Sequence, residues 1–170
     1  MKYIVISDIH GVYDYSKRID NIINKENPDK IILLGDLYTH SNTNYMDTVN
    51  ILNKYSDKIL CTQGNCDNDV DILVSNFKFE KYIILNINNK KFFFTHGHLF
   101  DIYSIPSDID IFIFGHMHTH FIKNINNKLI INTGSLSLPR NNTLHSYVVI
   151  DDYKITIKDI DNNIIDSVEY

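Results

Sequence analysis

Asp, His and Asn residues recur at the ends of short apolar runs in this sequence, and each group contains or adjoins a glycine. Carboxylate, imidazole and amide oxygen ligands suit borderline divalent cations such as Mn, Fe, Zn, Co or Ni. The glycines allow tight turns and a close approach of the backbone to a ligand. The pattern therefore predicts a transition-metal site built from five groups: Asp8-x-His10, Gly35-Asp36, Gly64-Asn65, His96-Gly97-His98 and Gly115-His116-x-His118.

Alternating strand-like and helix-like segments precede the first three groups. Short apolar runs at 3–6, 31–34 and 59–61 predict buried strands, and apolar residues at helical spacing predict helices over 14–26 and 45–55. A β-α-β-α-β order favours a parallel sheet. Because functional loops of such sheets gather at the carboxyl ends of the strands, we expect Asp8, Asp36 and Asn65 to lie at one edge.

The second half of the chain is predicted to be mostly strands. Asn88-Asn89 and Asn126-Asn127 are expected hairpin turns. The apolar run at 111–114 predicts a strand that is buried on both faces. We therefore expect one α/β domain over residues 1–170 with two sheets, the later strands lying at 82–85, 92–95, 111–114, 129–132, 147–150 and 155–157.

The composition excludes several classes of function. A net charge of −5 argues against a general nucleic-acid surface, and no apolar segment approaches the ~20 residues that cross a bilayer. Cys61 and Cys66 form neither a CxxC pair nor a disulfide framework, so a reducing cytoplasm is expected.

Each polar group alone is weak evidence for function. Asp-x-His pairs are commonly surface residues, and Gly-Asp is a common turn. The metal-site hypothesis depends on all five groups occurring together, each directly after an apolar run.

The ordered set of polar groups resembles the calcineurin-like metallophosphoesterase superfamily. The finer motifs are similar to those of its YfcE-like small phosphodiesterases, over residues 4 to about 150. These motifs are GDLYTH at 35–40, GNCD at 64–67, THGHLF at 95–100 and GSLSLP at 134–139.

This resemblance implies a four-layer α/β/β/α sandwich of two mixed sheets flanked by helices. It also implies two divalent cations, with Mn expected and Ni, Co, Fe or Zn as alternatives, that share an activated water and cleave a small phosphodiester. By similarity, one metal is held by Asp8, His10, Asp36 and His118, and Asp36 bridges to a second metal completed by Asn65, His96 and His116.

The sequence leaves open which residue protonates the leaving oxygen. His98 and His40 are the candidate catalytic residues, and Cys66 stands where many superfamily members have a His. Asp67 is predicted either to orient a ligand His or to cap a helix that begins near residue 69. Arg140 is expected to meet a phosphate or to lie on the surface.

Two other functions are compatible with the sequence. The first is a non-catalytic scaffold of the retromer-subunit type, although such scaffolds have lost ligand residues that are filled here. The second is a nucleotide pyrophosphatase or phosphomonoesterase. The expected partner is a small phosphate ester, with no nucleic acid and no membrane, and the oligomeric state stays open.

Overall fold

The computed structural model describes residues 1–38 and 45–170. Within them, the helices are α1 (Tyr13–Glu26), α2 (Tyr45–Asn53) and α3 (Asp69–Val74). The strands are β1 (Tyr3–Ile6), β2 (Lys30–Leu33), β3 (Ile59–Thr62), β4 (Phe79–Glu80), β5 (Ile83–Ile87), β6 (Lys90–Thr95), β7 (Ile111–Phe114), β8 (Phe121–Ile125), β9 (Lys128–Asn132), β10 (Ser146–Asp151), β11 (Lys154–Asp159) and β12 (Ile164–Glu169).

The first sheet has seven strands in the order β12-β11-β10-β1-β2-β3-β4. Strands β1 to β4 are parallel to one another, as the β-α-β-α-β pattern predicted for the first three. Strand β10 pairs antiparallel with β1, so the C-terminal hairpins extend the sheet on its other side. The parallel half brings the ends of β1, β2 and β3 to a common edge.

The second sheet has five strands in the order β5-β6-β7-β9-β8. Its central strands β6, β7 and β9 are parallel, and β5 and β8 pair antiparallel at the edges. Asn88-Asn89 and Asn126-Asn127 form the predicted hairpin turns, and all four residues have positive φ, between 51° and 64°. Two successive residues with positive φ are the signature of a type I′ turn.

Apolar side chains form three clusters, one between the two sheets and one on the outer face of each sheet. Helices α1 and α2 cover the outer face of the seven-stranded sheet, where Ile22 and Leu52 are fully buried with Ile4 and Ile6. A second cluster fills the space between the sheets, and its members include Val5, Ile32, Phe92, Phe94 and Ile113. The two mixed sheets confirm the predicted α/β fold class.

The outer face of the five-stranded sheet is covered differently. Phe93 and Phe112 of this face pack under Ile105 and Ile109, which belong to a turn-rich segment at 100–110 rather than to a helix. The fourth layer of the sandwich is therefore made of turns in this chain. No helix of the described residues is long and apolar enough to cross a membrane.

Candidate metal centre

The five polar groups of the sequence meet at one place in the structure. Asp8, Asp36 and Asn65 follow β1, β2 and β3, while His96 follows β6 of the other sheet. Backbone hydrogen bonds join the loops across the edge, with Asp8 N donating to Gly35 O at 3.1 Å. Each sheet thus contributes side chains to a shared site at the carboxyl ends of its parallel strands.

A first ligand cluster consists of Asp8, His10 and His118, whose ligand atoms lie within 4.8 Å of one another. His118 Nε2 is 3.1 Å from Asp8 Oδ1 and 3.4 Å from His10 Nε2. His10 Nε2 is also 3.8 Å from Asp36 Oδ2. Asp36 therefore adjoins this cluster.

A second cluster surrounds His96. Its Nε2 atom lies 3.0 Å from Asn65 Oδ1, 3.2 Å from His116 Nδ1 and 3.4 Å from Asp36 Oδ2. The ligand atoms of Asp8, Asp36 and His96 also lie within 4.8 Å of one another. Asp36 Oδ2 thus faces both clusters, which is the position that a bridging carboxylate requires.

The protonation of two imidazoles follows from their outer nitrogens. His118 Nδ1 lies 2.6 Å from Leu138 O, and His96 Nδ1 lies 2.7 Å from Leu34 O. Because a carbonyl only accepts hydrogen bonds, each Nδ1 donates, and each neutral imidazole then points an Nε2 lone pair into the site. This is the orientation in which histidine binds a metal.

The site contains an excess of acceptors. Asp8 Oδ1 is buried and accepts no hydrogen bond, although the His118 Nε2 lone pair lies nearby. The Asn65 carbonyl oxygen likewise faces His96 Nε2. Buried acceptors that face one another repel unless a cation lies between them. The residues present therefore fit divalent cations of the kind that bind mixed N and O ligands.

The pKa values of the candidate ligand histidines also indicate that the site favours a positive charge. Burial lowers the pKa of His118, but the Asp8 carboxylate and the Leu138 carbonyl together raise it above its usual value. Burial likewise lowers the pKa of His96, and the Asp36 and Asp8 carboxylates raise it more. Metal binding would release any protons held at these positions.

Hydrogen bonds hold the carboxylates of Asp8 and Asp36 each in a single orientation. Asp8 Oδ2 accepts from Ser7 Oγ at 2.6 Å and from His116 N at 3.0 Å, which leaves Oδ1 for the site. Asp36 Oδ1 accepts from Cys66 N at 2.8 Å. Burial raises the pKa of Asp36, but His96 and the Cys66 amide lower it to a value well below its usual range. Asp36 is therefore ionised at neutral pH.

The backbone of the ligand residues is itself unusual. Five of them have positive φ: Asp8 (55°), His10 (51°), Asp36 (51°), His116 (65°) and His118 (57°). This left-handed region is sparsely populated by residues other than glycine, and its use at ligand clamps is maintained by the surrounding structure. The loops are bent sharply so that their side chains converge.

Two glycines make this convergence possible. A Cβ atom at Gly64 would lie 2.1 Å from Asp36 Oδ1, and one at Gly115 would lie 1.9 Å from Ser7 Oγ. Any side chain at either position would displace a candidate ligand or its support. Gly64 and Gly115 are thus needed for the close approach of four loops, those that follow β1, β2, β3 and β7.

Asp67 supports the site through the backbone. Its carboxylate accepts hydrogen bonds from Asp36 N, Leu37 N and Gly64 N, each at 2.8 Å. Burial raises its pKa to about 6, against the lowering effect of these amides. The alternative role as a helix cap is wrong, because Asn68 caps α3. The partners of Asp67 are amides of the metal-site loops rather than a ligand imidazole.

The turn at 132–135 borders the site. Ser135 Oγ donates to Asp8 O at 2.7 Å, and Ser137 Oγ donates to Ile9 O at 2.7 Å. These hydroxyls satisfy backbone carbonyls that the left-handed turn at Asp8 leaves without strand partners. No sequence motif indicated that serines would play this part.

The candidate acid residues lie on the open side of the site. The exposed His98 ring centroid is 5.3 Å from that of His96, and burial together with His96 and His116 lowers the pKa of His98. Cys66 is exposed, and partial burial and the Asp36 carboxylate raise its pKa to about 11. His40 lies outside the described residues.

Two mixed sheets with a carboxylate–imidazole centre at their common edge define a metallophosphoesterase-type fold and site. The chain belongs to the calcineurin-like phosphoesterase superfamily, whose domain matches residues 1–153. Members of this superfamily are metal-dependent phosphoester hydrolases, so divalent metal ions are expected of the chain.

Relatives and solved structures agree with this assignment. Phosphodiesterase YfcE of Escherichia coli (strain K12) is 26% identical over 167 residues, covering 92% of this chain and 91% of the relative. The structure of YfcE superposes with a TM-score of 0.92 over 99% of both chains. A Vps29 variant from Entamoeba histolytica shares the fold with a TM-score of 0.70 at 21% identity, covering 100% of this chain and 99% of that one.

Proposed function

We propose that the protein is a dinuclear, manganese-dependent phosphodiesterase that hydrolyses small phosphodiesters. The observation that carries the proposal is the position of Asp36, whose Oδ2 atom faces His10 of one cluster and His96 of the other. The proposed metal ligands are Asp8, His10, Asp36, Asn65, His96, His116 and His118. Two divalent cations would lower the pKa of an attacking water and neutralise charge on the phosphoryl oxygens.

The chain's own residues prepare the site for this chemistry. The carbonyls of Leu34 and Leu138 hold two imidazoles in the tautomer that leaves Nε2 free to bind. Ser7 and Cys66 N orient the carboxylates of Asp8 and Asp36. Preorganised electrostatics of this kind supplies most of the catalysis of phosphoryl transfer.

The proposed ligand set combines oxygens of Asp8, Asp36 and Asn65 with four imidazoles, those of His10, His96, His116 and His118. Mg²⁺ is a hard ion that prefers oxygen ligands and retains its waters, so it suits this set poorly. Manganese is proposed because the carboxylate and amide oxygens suit Mn²⁺, and the imidazoles make Ni, Co, Fe or Zn the alternatives. The expected location is the cytoplasm, where free thiols such as those of Cys61 and Cys66 persist.

A diester is proposed as the substrate because the related YfcE is named a phosphodiesterase. The position after Asn65 carries Cys66 with a pKa of about 11, which is a poor proton donor, so esters with aryl leaving groups should react faster than alkyl esters. The scaffold alternative is disfavoured because every proposed ligand position holds a residue able to bind metal.

The test is a hydrolysis screen on metal-free protein reconstituted in parallel with Mn, Co, Ni, Zn and Mg. The substrates are bis(p-nitrophenyl) phosphate, p-nitrophenyl phosphate and a nucleoside triphosphate. We expect the diester to be the best substrate and Mn, Co or Ni to exceed Mg. A preference for the triphosphate would favour the pyrophosphatase alternative, and no turnover of any substrate with any metal would favour the scaffold.

A further inference from the structure

We propose that Arg140 determines substrate specificity by binding a second anionic group on the phosphodiester, apart from the phosphate that is cleaved. This inference rests on the proposed function and deepens it. The substrate class would be a small diester with an additional phosphate or carboxylate.

The backbone of Arg140 is fixed directly against the candidate metal centre. Arg140 N donates to His118 O at 2.8 Å. Two residues earlier, Leu138 O accepts from His118 Nδ1 at 2.6 Å. The segment 138–140 therefore holds both the main chain and the ring of His118, so the Arg140 side chain starts at the rim of the site.

The turn that carries Arg140 is also held from its other side. Arg140 O accepts from Thr143 N at 3.0 Å and from Thr143 Oγ1 at 2.7 Å. Asn141 Nδ2 donates to Thr119 Oγ1 at 2.9 Å, which ties the turn to the loop after His118. A fixed backbone leaves the side chain as the only freely adjustable part, which suits a ligand-binding arginine.

The guanidinium has no protein partner in the described part of the chain. Within residues 1–38 and 45–170, the exposed Arg140 side chain makes no hydrogen bond or ion pair. The other arginine, Arg18, pairs with Asp161 at 3.0 Å. Lys2 and Lys158 likewise pair with Glu26. Arg140 is thus an available cation beside the candidate metal centre, on a protein with a net charge of −5.

The charges at the site indicate which anion Arg140 would bind. Two divalent cations exceed the carboxylates of Asp8 and Asp36 by two positive charges. An attacking anion and a singly charged diester cancel those two charges. The guanidinium is therefore not needed to balance the metals, their ligand carboxylates and the reacting groups, and its planar fork matches the phosphate or carboxylate of a further anionic group.

The test compares ligands that differ by a single phosphate. Binding of thymidine 5′-monophosphate and thymidine 3′,5′-bisphosphate to the Mn-loaded protein is measured by calorimetry at two ionic strengths. Turnover is measured with the p-nitrophenyl 5′-ester of each nucleotide. Wild type should bind the bisphosphate about tenfold more tightly, as expected of one charge-assisted contact, and the preference should weaken in higher salt.

The variants are Arg140→Ala, Arg140→Lys and, as a matched control, Arg18→Ala. Arg140→Ala should lose the preference in both binding and KM, Arg140→Lys should keep part of it, and Arg18→Ala should retain it. Arg140→Ala that keeps the preference, or a wild type without one, would overturn the inference. Equal weakening of both ligands would assign Arg140 to the cleaved phosphate instead and also overturn it. Failure of every metal to support turnover would count against the proposed function, and the binding titration would still decide the role of Arg140.

Discussion

At the scale of single residues, Asp36 carries the most demanding role. One carboxylate oxygen is fixed by Cys66 N, and the other faces His10 at 3.8 Å and His96 at 3.4 Å. The second oxygen is therefore the atom on which both clusters depend. Replacing Asp36 by the isosteric but uncharged Asn therefore tests the dinuclear assignment more directly than the removal of any one imidazole.

Asp36→Asn should reduce turnover by roughly a hundredfold or more, because even residues that only support metal ligands typically contribute 10–100-fold. The bound metal should fall from two equivalents to one or fewer. Activity, metal analysis and circular dichroism of the Mn-reconstituted protein measure the three quantities. The control is Asp57→Asn, which removes an exposed carboxylate. Near-wild-type turnover in Asp36→Asn would contradict the proposed mechanism.

The residues on the open side predict a strong dependence on the leaving group. Burial and two neighbouring imidazoles lower the pKa of His98, so its ring is neutral at pH 7, and the pKa of Cys66 is about 11. Neither group is an effective acid. Proton donation typically contributes ~10²–10⁴-fold, so diesters with leaving groups of high pKa should react slowly.

A series of aryl diesters with graded leaving-group pKa measures this dependence in wild type, His98→Ala and Cys66→His. The slope should be steep in wild type, unchanged in His98→Ala and shallower in Cys66→His, where an imidazole is available. If His98→Ala alone steepens a shallow wild-type slope, then His98 is the acid.

At the scale of elements, the site depends on loops rather than on the strands themselves. The loop after β2 and the loop after β3 have no strand pairing to fix them, and Asp67 joins them through three backbone amides. An amide side chain at this position would turn its NH₂ group toward at least one of those N–H donors. The result is a buried donor without an acceptor.

Asp67→Asn should therefore lower the free energy of unfolding by about 1–3 kcal/mol, the usual cost of an unsatisfied buried group. Urea unfolding of the metal-free protein measures this, and Mn titration should reveal weaker binding in the same variant. Asp69→Asn in the first turn of α3 is the matched control, with a loss below about 1 kcal/mol. Equal stability of the two variants would exclude the proposed role of Asp67.

The elements that the sequence predicted well are those with a clear apolar pattern. Strand β7 coincides with the predicted 111–114, because an apolar run bounded by Asp110 and Gly115 leaves little choice. Strands β4, β8 and β12 were not predicted. Strand β4 has two residues, and β12 is an edge strand with mostly exposed residues, so neither carries a strong pattern.

Part of the candidate site was predictable from the same apolar runs. Ligand types and their order can be read from the sequence, since each follows a buried strand. The left-handed backbone at Asp8 and Asp36 cannot, because Asp tolerates this conformation without requiring it and the surrounding structure must select it. The amide partners of Asp67 and the carbonyl partners of His96 and His118 are likewise long-range contacts that no local pattern encodes.

At the scale of the whole molecule, the metal centre lies across the junction of the two sheets. The seven-stranded sheet contributes Asp8, His10, Asp36 and Asn65, and the five-stranded sheet contributes His96, His116 and His118. The apolar cluster between the sheets holds them together along their length. At the functional edge, buried carboxylates and imidazoles take the place of apolar side chains, so this edge is the least stable part of the junction without cations.

Metal binding should therefore stabilise the entire fold. A ligand at 100 times its dissociation constant adds about 2.7 kcal/mol for one site, which for a chain of this size corresponds to a rise in Tm of roughly 5–10 °C. Thermal unfolding of the chelator-treated protein is measured with increasing Mn, and with Mg at the same concentrations. Mn should raise Tm progressively, Mg should raise it less, and Asp57→Asn should respond as wild type does. Asp36→Asn should lose most of the Mn effect. A wild-type Tm that stays constant while metal analysis detects two bound Mn would mean that the unfolded chain binds the ions as tightly as the folded protein, which would contradict a metal site formed by the fold.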